Sequence, residues 1–376
     1  MSKARDLANG ATALSAVSAT ELGYVDGVTS AIQTQINTKS AIADNFTAGK
    51  NKIINGDFGI NQRGFTSTTT TATYGFDRFS TSFLDGTVTY SAQTFTPGTA
   101  PVAGYEGTNF AQIVTTGQTL TTARAQLQQR IESVRTLAGQ TATFSFWAKA
   151  NSGTPNVNVT LAQDFGNGGS PSASVSTAGT VQTITTSWAR YSFTISVPSI
   201  SGKTLGTTTD GFLAANIFVS GGSATNAPTV GVQNNTFQIW GVQVEAGSTA
   251  TPFQTATGTK QGELAACQRY YYRNTAPGTY AQLGGNSPAS TTSIIYMAYN
   301  APVPLRVTPT SVDYGGDLRA YDGVNYITVT SVATSGGINN NPTLQVNSAA
   351  GFTTLRPYFL SAQATGNAYI GFSAEL

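Results

Sequence analysis

The sequence predicts a mainly β-structured protein, and three observations lead to that fold class. Only 10% of the residues are charged, against roughly a quarter in ordinary globular proteins, so Thr, Ser, Asn, Gln and Gly must supply the polar surface. These residue types suit β-surfaces and turns better than helix faces, and 40 glycines add to the turn-forming content. In residues 190–197 (RYSFTISV) polar and apolar side chains alternate, which is typical of a strand with one buried face.

Composition also narrows the range of possible functions. The chain has no histidine and a single cysteine, Cys267. The commonest general base and metal ligand is therefore missing, and one cysteine excludes an internal disulfide and a cysteine-based zinc site. A formal net charge of +2 gives no indication of the strongly basic surface that binds nucleic acid. We predict that the protein is not an enzyme and binds no nucleic acid.

The sequence also lacks the patterns of a membrane or secreted protein. No apolar run approaches the roughly 18 residues that a membrane-spanning helix needs. Residues 1–5 (MSKAR) are not followed by the apolar core of a secretory signal. We therefore expect no membrane insertion and synthesis in a cytosol.

Residues 1–50 differ in character from the rest of the chain. They are rich in Ala and contain a helical stretch from about Thr20 to Lys39. Val25, Ile32 and Ile36 follow one another at spacings of seven and four, which makes a thin apolar stripe. Because so short a helix is marginal in water, a partner is expected. A flexible tether with nascent helix is one interpretation, and we favour a helical oligomerisation segment that joins three copies in a parallel bundle.

Residues 51–258 show strand-like patterns throughout. Asp85-Gly86 stands between two apolar stretches and predicts a β-hairpin. The alternation that starts at Phe237 changes phase at Trp240-Gly241, which predicts a β-bulge. Residues 127–139 fit either a helix that ends at Gly139 or a strand followed by a tight turn, and periodicity alone leaves both open.

Residues 259–376 begin with a short helix candidate within 259–275, with Leu264, Cys267 and Tyr271 on one face. Cys267 is then expected to be a buried small hydrophobic residue, and the run from Arg269 to Tyr272 to be an inter-domain or inter-subunit joint. Residues 276–376 return to β-patterns, with a turn at Asp322-Gly323. We predict a second, C-terminal β-sandwich in this part.

A set of motifs in fixed order resembles bacteriophage tail-fibre and virion structural proteins. The resemblance covers roughly residues 18–273. Its motifs are ATELGYVDGVTSAIQTQ (19–35), NKIINGDFGINQRG (51–64), YGFDRF (74–79), QRIE (129–132), FSFWAK (144–149), WGVQVEAG (240–247), ATPF (250–253) and ELAACQRYY (263–271). In this family the middle module is similar to carbohydrate-binding β-sandwiches of the jelly-roll type. The resemblance thus implies a jelly-roll domain over residues 51–258 and a strand, not a helix, at residues 129–132.

Glycan recognition, which the resemblance implies, needs exposed aromatic faces beside planar polar groups. Tyr314, Tyr321 and Tyr326 lie near Gly-rich turns, and turn tips on a rigid β-scaffold are favourable places for binding residues. Trp188 stands beside a strongly alternating strand, where a core position competes with a binding role. These four side chains are the candidate receptor- and glycan-binding residues.

We expect no cofactor, with a structural calcium ion kept as an option. Carbohydrate-binding sandwiches often carry such an ion, held by oxygen ligands. Asp57 and Glu245 lie at the two ends of the jelly-roll module, which such folds bring close together. Ordinary hydrogen bonding of both carboxylates is the alternative, so the metal ligands stay undetermined.

The sequence therefore predicts a structural fibre protein of a bacteriophage virion. We favour a homotrimeric tail or side fibre that docks on other virion proteins through residues 1–50 and attaches to a host cell-surface polysaccharide. The alternative is a capsid decoration, a head fibre or another purely structural virion component, and a polysaccharide-depolymerising tailspike ranks third. In each case we expect the protein at the surface of the virion tail or capsid, after synthesis in the host cytoplasm.

Overall fold

A computed structural model describes residues 47–223, 230–309, 311–363 and 367–376. By its internal contacts the chain divides into two units, Met1–Thr47 and Ala48–Leu376. The predicted helix with Val25, Ile32 and Ile36, and the trimer contact assigned to it, lie outside the described residues. The second unit consists of antiparallel strands and a short helix, which confirms the mainly β fold class.

The first part of this unit is a sandwich of two sheets. Its strands are β1 Ser67–Thr68, β2 Ser80–Leu84, β3 Thr87–Thr94, β4 Asn109–Thr116, β5 Arg124–Glu132, β6 Thr141–Ala150, β7 Asn156–Asp164, β8 Val175–Ala178, β9 Gln182–Thr183, β10 Ala189–Ser196, β11 Phe212–Gly221 and β12 Thr236–Ala246. The back sheet has the order β1-β3-β4-β12-β6-β10, and the front sheet has the order β2-β5-β11-β7-β8, with β9 beside β7. From β4 to β7, and again from β10 to β12, consecutive strands alternate between the sheets, as in a jelly roll.

Alternating side chains of both sheets fill one core. On β10, Tyr191, Phe193 and Ile195 are buried while the intervening polar residues are exposed, as the alternation predicts. On β5, Leu127 and Ile131 point into the same core. The segment 124–132 is a strand and a turn follows it, which confirms the strand interpretation of residues 129–132 over the helical one.

The prediction of a hairpin at Asp85-Gly86 is wrong. Both residues have left-handed φ angles, 71° and 61°, so the chain does turn sharply there. However, β2 pairs with β5 in the front sheet, whereas β3 pairs with β4 in the back sheet. Phe83 before the turn and Val88 after it pack on one core from the two sheets, so this turn carries the chain from one sheet to the other.

The predicted β-bulge at Trp240-Gly241 is confirmed. The pairing of β12 with β6 shifts register between Trp240 and Gln243. Gly241 has a φ of +64°, and a Cβ atom there would lie 2.7 Å from the Trp147 ring. Only glycine satisfies both conditions without strain, so the bulge depends on this residue.

The second part of the unit has a core of its own. Its elements are α1 Lys260–Gln268, β13 Tyr271–Thr275, β14 Gln282–Pro288, β15 Ile294–Ala298, β16 Val312–Gly315, β17 Leu318–Tyr321, β18 Tyr326–Thr328, β19 Ser331–Ile338, β20 Asn341–Asn347, β21 Pro357–Ala362 and β22 Tyr369–Ser373. They form three antiparallel sheets with the orders β13-β22-β16, β14-β21-β17-β18 and β15-β20-β19. The Asp322-Gly323 turn connects β17 and β18, which pair as a hairpin.

The helix α1 differs from its prediction in the face that it buries. Thr259 caps its start by accepting a hydrogen bond from the backbone N–H of Gly262. The buried residues are Glu263 and Cys267, four positions apart, whereas Leu264 is 36% exposed. The helix ends at Gln268, so Tyr271 belongs to β13 and not to a helical face. The expectation of a buried Cys267 is confirmed.

The residues that follow α1 connect the two cores. Arg269 Nη2 donates to Glu132 Oε1 at 3.0 Å, and the hydroxyl of Tyr270 donates to Glu132 Oε2 at 2.8 Å. The hydroxyl of Tyr271 donates to Asp313 at 2.5 Å on the other side. This run therefore links the sandwich to the second core. In the described part of the chain, no helix is long and apolar enough to span a membrane.

Candidate functional site

The outer face of the front sheet carries a continuous polar surface, which we call the amide face. It consists of alternate positions on β5, β11 and β7, whose intervening residues, such as Leu127, Ile217 and Val159, point into the core. The amide face is formed by Gln126, Gln128, Asn158, Thr160, Asn216 and Phe218.

Strand register places these side chains next to one another. Asn216 on β11 lies between Gln128 on β5 and Thr160 on β7. Asn216 Nδ2 donates to Thr160 Oγ1 at 2.9 Å, and Asn216 Oδ1 accepts from Gln126 Nε2 at 3.4 Å. Because sheet pairing fixes the backbones, these groups hold one arrangement before any ligand arrives, which lowers the entropic cost of binding.

Most of the amide face has little contact with bulk water. Asn216 and Gln126 are only 5% and 8% exposed although they point away from the core. Outward side chains with so little exposure are shielded by their neighbours from bulk water. Hydrogen bonds in such a shielded place are electrostatically stronger than hydrogen bonds on an open surface.

Two phenylalanines stand near the two ends of the outward row of β11. Phe212 and Phe218 lie on the same outer face, about 20 Å apart at the rise of an extended strand. Between them, Ala214 pairs with Ala162 on β7, and both side chains are small. On the other flank Arg130 pairs with Ala214, and its guanidinium lies 4.7 Å from the centroid of the Phe212 ring.

The chemistry of the amide face suits hydroxyl-rich ligands. The side chain of Gln128 is half-buried and makes no hydrogen bond to any described residue, so its amide is available as donor and acceptor. Phe212 is half-buried and offers apolar ring surface beside these amides, whereas Phe218 is only 5% exposed. Planar polar groups next to aromatic surface are what a sugar ring with hydroxyls and an apolar C–H face requires.

Sequence reasoning did not single out Gln126, Gln128 or Asn216. The signal was present on β5, where glutamines alternate with Ala125 and Leu127. Alternation shows that the glutamines share a face, but it does not show that Asn216, almost ninety residues later, lies beside them. Register between distant strands has to be known for that.

The candidate tyrosines of the second core fall into two groups. Tyr321 and Tyr326 face each other across the β17–β18 hairpin, with ring centroids 4.2 Å apart in a stacked arrangement. Tyr280, which the sequence reasoning missed, lies 5.7 Å from Tyr326 and is 55% exposed. Tyr314 lies on β16 in another sheet, where it pairs with Ile370. The structure thus groups two of the three candidates and gives Tyr314 a separate place.

Trp188 lies on the opposite side of the sandwich from the amide face, next to the edge of the back sheet. Its ring centroid lies 5.6 Å from that of Phe95 and also 5.6 Å from that of Phe110, while Lys149 Nζ lies 5.5 Å from its centre. The side chain is half-buried. It therefore packs on neighbours and still presents part of its ring, and its binding role stays a prediction.

The carboxylates considered for calcium accept hydrogen bonds from the protein itself. Asp57 Oδ2 accepts from the hydroxyl of Tyr105 at 2.6 Å. Glu245 Oε1 accepts from the backbone of Thr251 at 2.9 Å and from Gln243 Nε2 at 2.7 Å. Among the described residues no group of three or more His, Cys, Asp or Glu side chains is arranged to hold a metal ion. Calcium at Asp57 and Glu245 stays a prediction.

The lining of a cavity of about 380 Å³ between α1 and the sandwich includes three acidic residues, Asp57, Glu106 and Glu263, together with Lys260. Burial raises the pKa of Glu263, while hydrogen bonds from the backbone N–H groups of Asn55 and Thr257, both at 2.7 Å, favour its charged form. Glu263 thus fastens α1 to the start of the sandwich. Its oxygens are engaged in this structural role.

A family model described as a carbohydrate binding domain matches residues 50–210. The matched range contains β1 to β10, and with them Gln126, Gln128, Asn158 and Thr160 of the amide face. Asn216 and Phe218 on β11 follow the matched range. The match supports a carbohydrate-binding jelly roll in this part of the chain. No curated protein matches the chain in sequence.

Several solved structures are similar to part of this chain at low sequence identity. The enzymatically active domain of tailspike protein 4 of bacteriophage CBA120 is 17% identical, with a TM-score of 0.27. The match covers 52% of this chain and 21% of that one, so this chain spans about a fifth of the length of the tailspike domain. A CBM4 structure is 20% identical over 42% of this chain and 87% of that one, with a TM-score of 0.23. A family 11 carbohydrate-binding module of Clostridium thermocellum, in complex with a mixed-linked tetrasaccharide, is 11% identical with a TM-score of 0.29. The match covers 48% of this chain and 95% of that one. Scores this low say nothing of what this chain binds.

Proposed function

We propose that this protein binds a neutral polysaccharide along the amide face of the front sheet. The observation that carries the proposal is the hydrogen-bonded row of Gln126, Asn216 and Thr160, flanked by the half-buried side chains of Gln128 and Phe212. The family match to a carbohydrate binding domain over residues 50–210 supports the same ligand class.

The groups on the amide face favour a neutral sugar over a charged one. Its amides and hydroxyl donate and accept with sugar hydroxyls without requiring a charge on the ligand. The cation at its border, Arg130, already donates from Nη1 to the carbonyl oxygen of Leu376 at 2.6 Å and packs on Phe212. Hydroxyl recognition by amides, with apolar contact to Phe212, is therefore the proposed mode of binding.

Affinity electrophoresis of the full-length protein tests this proposal. The gels contain a neutral polysaccharide, with laminarin, xylan and dextran as probes. We expect at least one probe to retard the wild-type protein and Asn216→Ala to abolish the retardation, because the row loses its central amide. If none of the three retards the wild-type protein, the proposal fails.

We further propose that the chain is a structural fibre protein of a bacteriophage virion. The ordered motifs between residues 18 and 273 support this role, together with the charge-poor composition. In this proposal three copies assemble through residues 1–50, which also dock on other virion proteins, and many weak glycan contacts add up through valency at the host surface. The copy number is tested by light scattering, where a monomer mass at micromolar concentration contradicts the trimer.

The position on the virion separates the attachment fibre from a capsid decoration or head fibre. Immunogold labelling of particles places the protein on the tail or on the head. Antibodies against the full chain should block adsorption of a fibre, whereas they leave adsorption unchanged for a purely structural component. Release of reducing ends from host polysaccharide by the purified protein would instead identify a depolymerising tailspike.

The stacked pair Tyr321 and Tyr326, with Tyr280 beside it, is our proposed receptor contact in the second core. All three rings lie in a small cluster at a hairpin, and two of them are among the more exposed aromatic side chains. The isolated protein should compete with virions for the host receptor and so block their adsorption. Tyr326→Ala should reduce this block, while glycan binding to the amide face persists. Unchanged blocking would remove this hairpin from the receptor surface.

A further inference from the structure

The outer face of the back sheet carries a second polar row with a different chemistry. Strand register places Ser91, Gln112, Gln238 and Lys149 side by side across β3, β4, β12 and β6. Trp188 is the next member of the row. Ala189 pairs with Ala148 of β6, so Trp188, one residue earlier, continues the register opposite Lys149. We call these five residues the Trp188 row. At the usual strand spacing the row is about 19 Å long.

The Trp188 row is the open part of this face. In the adjacent row Trp240 is fully buried, because the rings of Tyr105 and Phe253 lie over it with centroids 5.5 and 5.0 Å away. In the Trp188 row Ser91 is buried, and its other four members are half-buried and reach the surface. A ligand on the back sheet would therefore meet this row first.

Two polar groups of the row lack the partners that their chemistry calls for. Lys149 Nζ lies over the Trp188 ring and forms no hydrogen bond or ion pair with any residue that the structure describes. Gln238 Nε2 donates to Gln112 Oε1 at 3.1 Å, but Gln238 Oε1 is buried and accepts nothing from the described residues. A buried acceptor without a donor is unfavourable, and a ligand hydroxyl would relieve it.

The charge on this face is positive. Besides Lys149, the guanidinium of Arg190 lies 4.6 Å from the centroid of the Trp147 ring, in the row adjoining Trp188. The carboxylate that acts on Arg190 is Glu245, which is fully buried and engaged by Thr251 and Gln243. An anionic group at the surface of the row would thus meet two cations.

We propose that the Trp188 row is a second glycan-binding site and that it takes an acidic polysaccharide. A sugar ring stacks on Trp188, its carboxylate or sulfate group pairs with Lys149, and one of its hydroxyls donates to Gln238 Oε1. Aromatic surface, a cation and an unpaired acceptor within one row match the three features of such a sugar. The site is separate from the amide face, and its ligand does not depend on the function proposed there.

Affinity electrophoresis of the full-length protein in polygalacturonate, alginate or heparin tests this site. We expect at least one of these probes to retard the wild-type protein, with retardation that falls as salt is added. Lys149→Gln should weaken the binding about tenfold, since it removes a charge-assisted hydrogen bond. Lys203→Gln is the matched control: it removes the same charge from a lysine that lies 5.9 Å over Phe165 elsewhere, and we expect no change.

Three outcomes would overturn the proposal. The first is that none of the three acidic probes retards the wild-type protein. The second is an equal loss of binding in the two lysine variants, which would indicate unspecific attraction by net charge. The third is loss of acidic binding in Asn216→Ala, which would place the acidic ligand on the amide face. Conversely, Asn216→Ala that loses the neutral glycan and keeps the acidic one supports two separate sites.

Discussion

Arg78 and Glu375 form an ion pair in which both side chains are almost fully buried, with 1% and 5% exposure. Arg78 belongs to the sandwich, and its guanidinium also lies 3.5 Å from the centroid of the Tyr270 ring. Glu375 follows the last strand of the second core and accepts a further contact from Arg63 at 3.3 Å. This pair therefore links the two cores through two residues that are far apart in sequence.

We predict that Glu375→Gln destabilises the protein by about 3 kcal/mol or more, because it leaves Arg78 buried without its charge partner. Urea unfolding measures the change. The control is Asp317→Asn, which breaks the 3.1 Å pair with Arg319 where both side chains are more exposed. That loss should stay below about 1 kcal/mol. Equal losses in the two variants would contradict the importance assigned to the buried pair.

Gly241→Ala should damage the β-bulge of β12. The new Cβ would lie 2.7 Å from the Trp147 ring at a φ of +64°, so the substitution combines backbone strain with overpacking. We expect a loss of about 3 kcal/mol in unfolding free energy. Gly117→Ala separates the two causes, because Gly117 has a similar φ of +68° with open space around it; its loss should be about 1 kcal/mol. If Gly117→Ala costs as much, the contact with Trp147 is unimportant.

Asp210 should make stability depend on pH in the acid range. Hydrogen bonds from Thr208 and Asn167 lower its pKa to about 2. A carboxylate with a depressed pKa in the folded state contributes stability above its unfolded pKa of about 4, and this contribution is lost as the pH falls towards 2. Asp210→Asn should therefore have a lower Tm than wild type at pH 6 and nearly the same Tm at pH 2. A gap of constant size from pH 6 to pH 2 would count against this.

The stacked rings of Tyr321 and Tyr326 should stabilise the β17–β18 hairpin. Tyr326→Ala removes the cross-strand pair, and we expect a loss of about 1 kcal/mol beyond that of a comparable exposed tyrosine. Tyr296→Ala provides the comparison, since Tyr296 is 43% exposed on β15. Tyr326→Phe should keep the stack and most of the stability. Thermal unfolding that shows the same loss for Tyr296→Ala and Tyr326→Ala would argue against the stack.

Local sequence patterns predicted the strands well where burial was one-sided. The alternation from Tyr191 to Val197 and the phase change at Trp240-Gly241 both correspond to observed features. These patterns depend only on which side chains face the core, which neighbouring residues reveal. The short helix was also found, but the end of α1 before Tyr271 was not, because an apolar tyrosine run fits either a helix or a strand.

The contacts between distant segments could not be predicted from the sequence. Asp85-Gly86 has the composition of a hairpin turn, yet β2 and β3 pair with different strands, and only the whole sheet decides that. The amide face likewise needs β5, β11 and β7 in register, so Asn216 had no local signal. The contact of Glu375 with Arg78 spans almost the whole described chain, and no spacing in the sequence indicates it.

Gln128 provides the most direct test of the central claim that the amide face binds a neutral polysaccharide. Its side chain has no hydrogen-bond partner among the described residues, so Gln128→Ala should leave the fold intact while removing a ligand contact. Isothermal titration with the neutral polysaccharide that retards the wild-type protein measures the effect. We predict about a tenfold weaker Kd for Gln128→Ala and an unchanged Kd for Gln345→Ala, a half-buried glutamine on β20. Wild-type affinity in Gln128→Ala would contradict the claim.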